Sequence, residues 1–132
     1  LDRLLSEGRP LTAIATDDAH FKASDHFGGW VMVRAQENTP ESLLQALKDG
    51  EFYSTQGPHI YEMEVTDSEL NVCCSAVSTV IVQADGSATA VTHGSSMTKA
   101  SVSLGRCQHS PWIRVTIIDA TGKRAWSNPV WR

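Results

Sequence analysis

"EFYSTQGPHIYEMEV", residues 51–65, is where the chain changes character. Before it, helix-like and strand-like segments alternate. After it, nearly every segment alternates apolar with polar residues. The part up to Pro58 closes the first pattern. Beyond it, Tyr61, Met63 and Val65 recur at a spacing of two, which places them on one face of a strand. The sequence therefore divides near residue 57.

Upstream of that point, "LDRLLSEGRP" (1–10) reads as the last turns of a helix, stopped at Gly8. "LTAIAT" (11–16) reads as a strand and "WVMVRA" (30–35) as another, separated by a polar loop over 17–28. "TPESLLQALKDG" (39–50) carries the signals of a helix. Thr39 suits the N-cap, Pro40 the first helical position and Glu41 the positive end of the helix dipole. Leu43, Leu44 and Leu47 form an apolar stripe, and Gly50 is the stop. This order is that of an α/β fold. Two strands and their helices cannot cover both faces of a parallel sheet. Residues 1–57 are thus expected to be the C-terminal fragment of a larger α/β domain. The chain has no initiator Met and is expected to begin inside a longer protein.

Downstream, "ELNVCCSA" (69–76), "STVIVQAD" (78–85), "MTKASVSLG" (97–105) and "PWIRVTII" (111–118) read as short strands. "DATG" (119–122) is a hairpin turn into "KRAWSNPVW" (123–131). Such spacing points to a small antiparallel β-sandwich over 58–132. The expected fold class is α+β: an incomplete α/β remnant, then the sandwich.

Composition narrows the function classes. The 132 residues are 41% hydrophobic and 20% charged, with a net charge of -4, as in an ordinary soluble globular protein. No Lys/Arg run offers a footprint for nucleic acid. No apolar run is long enough to span a bilayer, and no signal peptide is visible, so a cytoplasmic location is expected. Cys73, Cys74 and Cys107 make an odd count without a C-x-x-C, which fits small hydrophobes in a reducing compartment.

The chemistry concentrates in "ATDDAH" (15–20). A carboxylate and an imidazole two residues apart, here Asp18 and His20, can converge on one divalent metal. At a strand's C-terminal end they would face the active-site rim of an α/β barrel. Asp17 can orient an imidazole from a second layer, or simply shape a turn. Two side chains fall short of the three or more protein ligands that a catalytic metal takes. His26, His59, His93 and His109 are scattered. Ser54, Thr55 and Gln56 read as solvated loop residues, with substrate contact as the other reading. Gly28–Gly29 reads as a loop entering a strand or as a hinge. Trp112, Trp126 and Trp131 read as core packing, with a sugar-binding platform as the other reading.

"LTAIATDDAHF", "GGWVMVRA" and "TPESLLQALKDGEFYSTQGP" together resemble the C-terminal third of a PHP domain, the polymerase and histidinol phosphatase family of metal-dependent phosphoesterases. "VCCSAVSTVIV" and "WIRVTIIDATGKRAWSNPVW" are similar to the ending of its CehA/McbA-like branch, which carries a β-rich tail. The resemblance implies that Asp18 and His20 are the family's last metal-binding D-x-H motif. It implies two or three divalent metals (Zn, Mn or Fe) in the complete domain and a small phosphorylated substrate. The family's earlier H-x-H motif and further His and Glu ligands have no counterpart here. This chain alone is therefore expected to be inactive, to hold metal weakly or not at all, and to cover its exposed sheet by forming a homo-oligomer. The competing expectation is a non-catalytic β-sandwich module for binding or assembly.

Overall fold

The computed structural model describes residues 1–132. In chain order the elements are α1 (Asp2–Ser6), β1 (Trp30–Val33), α2 (Pro40–Lys48), β2 (Phe52–Thr55), β3 (Ile60–Val65) and β4 (Glu69–Ala84). They continue with β5 (Thr89–Ser103), a 3₁₀ turn (Gly105–Cys107), β6 (Trp112–Ile118), β7 (Arg124–Ser127) and β8 (Val130–Trp131). All eight strands join one antiparallel sheet in the order β1-β2-β7-β6-β4-β3, with β5 on β4 and β8 on β6. The sheet curls into a half-barrel. The β-rich, antiparallel character expected of the second region is present. Hydrogen bonding also crosses the boundary near residue 57, because Tyr53, Ser54 and Thr55 pair with Ser127, Trp126 and Ala125.

β4 organises the sheet. Its first half pairs with β3 and its second half with β6, while β5 follows it along both halves. The buried positions explain the bend between the halves. Leu70, Val72 and Cys74 alternate inward, then Val77, then Val80, Val82 and Ala84. Each step of three flips the pleat once, so the strand bulges twice. On β5 the compensating irregularity lies between His93 and Met97, where Ser96 takes a positive φ of 51°. A strand read as two segments is thus one, folded over.

The concave face holds the core. It gathers β4 residues with Val102, Leu104 and Cys107, and with Ile113, Val115, Ile117 and Ala125. Truncating Leu70 or Ile117 to Ala would cost about 2–5 kcal/mol in transfer and cavity terms. The opposite face is covered where α1 docks on Arg114. Leu5 of α1 and Trp112 are buried there, outside the core cluster. α1 has five residues and no side-chain cap, so burial and an ion pair hold it rather than propensity. Asp2 clasps Arg114 through two hydrogen bonds of 2.6 and 2.7 Å. Thr116 extends that network by donating to Gln83 Oε1 at 2.9 Å. α2 starts as its sequence directs, with the Thr39 hydroxyl accepting from the Ser42 amide and Pro40 opening the helix, but its buried residue is Ala46, and Leu44 of the expected apolar stripe is 53% exposed.

Several local expectations change. Residues 11–16 form no strand. The Ser54 hydroxyl takes the place of a strand ladder: it accepts from the Ala15 amide and donates to the Ala13 carbonyl, both at 3.0 Å. The segment is a strap tied to β2 by one side chain. On β3 a bulge between Ile60 and Glu62 resets the alternation. Tyr61 is therefore exposed, and Ile60 joins Met63 and Val65 against the core. The 119–122 turn closes as read. Asp119 Oδ1 accepts from the Thr121 and Lys123 amides, and Gly122 supplies a φ of 85°.

Candidate functional site

The strap delivers the loop that carries the acidic and imidazole groups. Gly29 lets the loop return close to its start. A Cβ there would sit 3.4 Å from the Thr16 carbonyl oxygen and 3.5 Å from the Ala15 Cβ. Within the loop, Asp17 accepts from the Phe27 amide and pins the two ends together. Asp17 therefore acts here as a turn residue, one of the two readings its sequence allowed. Asp18 takes a positive φ of 52° and is exposed, as is His20.

His20 has a partner that its spacing did not disclose. Asp25 Oδ2 lies 3.2 Å from His20 Nδ1 and also accepts from the His20 amide at 3.1 Å. The amide bond, with the ring contact adding to it, holds the Asp25 carboxyl below the usual carboxylate range. A carboxylate on one ring nitrogen fixes the tautomer and leaves the other, Nε2, with its lone pair available. Asp18 and His20 thus offer two donors of the right type for a divalent metal, one of them oriented. The chain nowhere gathers three or more His, Cys, Asp or Glu side chains into a group that could hold a metal ion. The donors fit the ion in kind but do not complete its shell.

No protein-family model, curated protein or solved structure matches the chain.

The other polar residues singled out in the sequence serve the framework. Ser54 ties the strap. Thr55 is fully buried; its hydroxyl donates to the Pro58 carbonyl at 2.6 Å and accepts from the Gly57 amide at 2.9 Å. Gln56 bridges to Arg124 through its own amide and its Oε1. Trp112 is buried and Trp131 exposed, so the three tryptophans build no common platform. Burial pushes the Cys74 and Cys107 thiols up, which suits inert core sulfurs.

A second concave feature was not evident from the sequence. A cleft of about 810 Å³ opens where the half-barrel fails to close, between β1–β2 on one side and β3 on the other. Met32, Tyr53, Ile60, Met63 and Val130 give it an apolar wall. In its lining the Tyr53 hydroxyl meets His59 Nδ1 at 3.3 Å, and burial raises the Tyr53 phenol above its ordinary range. His59 stacks on Tyr61 with the rings 2° from parallel. The signal lay in "YSTQGPHIY", where two tyrosines and a histidine bracket a tight turn.

Proposed function

We propose that the chain is the C-terminal portion of a PHP-type metal-dependent hydrolase acting on a small phosphate ester. In this reading residues 1–57 finish the α/β domain and residues 58–132 are its β-rich appendage. Asp18 and His20 contribute one side of the metal centre. The observation that carries the reading is the Asp25–His20 contact, which presents Nε2 of an exposed imidazole two residues along the chain from an exposed carboxylate. Asp18 would be an anionic ligand and His20 a neutral one, with the remaining ligands supplied from outside these residues. A divalent metal there would activate water and stabilise the charge of the transferring phosphoryl group. Neither residue is the nucleophile. The same reading includes self-association of the isolated chain through residues 1–57.

The test is metal content and hydrolysis of p-nitrophenyl phosphate by the full-length gene product. Asp18→Ala and His20→Ala should each lower turnover at least a hundredfold while thermal unfolding is unchanged. Full activity in both variants removes these residues from the site. The 132-residue chain should bind Zn²⁺ or Mn²⁺ weakly or not at all by calorimetry. Submicromolar binding that disappears in His20→Ala would refute the two-donor argument.

A second reading rests on the cleft. An open, half-apolar concavity of this size falls in the range of binding sites, which favours a non-catalytic binding module.

A further inference from the structure

Four strands, β1, β3, β5 and β8, are paired on one side only; of these, β1 and β3 are the ends of the main strand order. Both border the same cleft. An edge strand at a cleft leaves backbone N–H and C=O groups without ladder partners, which an extended segment entering the cleft could satisfy.

The cleft has room for a short extended segment. One strand residue fills about 160 Å³, from ~4.8 Å between strands, ~10 Å between layers and ~3.3 Å of rise. A cleft of about 810 Å³ thus takes about five residues at that volume. β1 offers four residues and β3 six.

The walls select its chemistry. Met32, Tyr53, Ile60 and Met63 face the interior side, so inward positions of the occupant are apolar. Glu62 and Glu64 pair with Cys73 and Asn71 on the opposite face of β3. Both are exposed and neither makes an ion pair, and Lys99 is the single cation lining the concavity they share with Cys73 and Asn71. The one cation at the cleft, Arg34, is already held by Glu51 at 2.7 Å. An incoming strand with acidic or uncharged outward residues would leave these carboxylates unmatched or repelled. Lysine or arginine there would be attracted directly across the strand pair.

We propose that the cleft between β1 and β3 binds an extended basic peptide segment of another protein, added as a strand with alternate apolar residues inward and lysine or arginine facing Glu62 and Glu64.

The test uses a labelled six-residue peptide alternating valine and lysine, followed by fluorescence polarisation. The expected result is saturable binding. It should weaken at least tenfold when a central valine is replaced by proline, which removes a ladder donor. It should also weaken at least tenfold in the Glu62→Lys, Glu64→Lys double variant. Hydrogen exchange on the unaltered chain should slow in 30–33 and 60–65 when peptide is present. That readout does not depend on any variant folding. Absent saturation, equal binding of the proline peptide, or protection confined to other strands would overturn the proposal. So would protection of both edges that grows with protein concentration without peptide, since a second copy would then occupy the cleft.

Discussion

At the residue level, Asp2 and Arg114 join the first helix to the sheet across 112 residues of sequence. The hydrogen bond from Arg114 is the main reason that the Asp2 carboxyl sits below its ordinary range. The arginine side chain is 14% exposed and the aspartate 44%, so solvent screens the pair in part. Asp2→Asn is expected to cost about 1 kcal/mol at pH 7. A carboxyl whose folded pKa is depressed stabilises above its unfolded value, near ~3.9. That contribution is lost as pH falls through the folded value. Urea midpoints of the two proteins should therefore differ at neutral pH and converge in strong acid. An equal gap at all pH values would mean that packing of α1, not the charge, was lost. The same scale shows what a sequence can disclose about a site. Asp18 and His20 stand out by type and spacing. Asp25 does not, because it reaches His20 only through a loop path with positive φ at Phe21. No local propensity announces that path.

The elements show where periodicity is a sufficient guide. β6, the 119–122 turn and the start of α2 follow their sequence signals, since each depends on contacts within a few residues or on unbroken alternation. β4 does not read as one strand because its inward phase slips twice. The first half of β5, "TAVTHGSS", is too polar to announce itself and is held by pairing with β4. The paired bulges bring Gly94 against Met97. A Cβ at Gly94 would lie 2.6 Å from the Met97 sulfur, so Gly94→Ala forces that side chain aside. The expected cost is about 1–3 kcal/mol. In a Met97→Ala background the second substitution should cost almost nothing, because the obstructing atoms are gone. A double-mutant cycle by chemical denaturation measures the coupling, and additive effects would contradict the contact. The strap is the other departure. An apolar run over 11–16 suits a strand, but Ser54 competes for the backbone groups of Ala13 and Ala15. Ser54→Ala should speed hydrogen exchange at Ala15 by at least tenfold and leave β4 and β6 protected. Unchanged exchange would show that the strap is held elsewhere.

At the level of the whole molecule, the two regions differ in how well they cover themselves. Residues 58–132 bury a continuous core beneath their own strands. Residues 1–57 supply most of the large apolar side chains left in solvent, among them Phe21, Phe27 and Ile14 at 84%, 79% and 58% exposure. Phe21 and Phe27 both pack on the His26 ring, so they form a cluster rather than isolated surface residues. Clustered apolar surface of this kind favours association. The isolated chain is expected to form a homodimer or higher oligomer through this loop at ~100 μM, where a ~1 μM association would be nearly saturated. Replacing Phe21 and Phe27 together by Ser should return it to a monomer without lowering its unfolding midpoint, because neither side chain reaches the core. This route is separable from the β1–β3 cleft. In hydrogen exchange it should protect residues 17–28 and leave the edges at 30–33 and 60–65 unchanged. Light scattering that finds only monomer at that concentration would rule the loop out as an interface between copies.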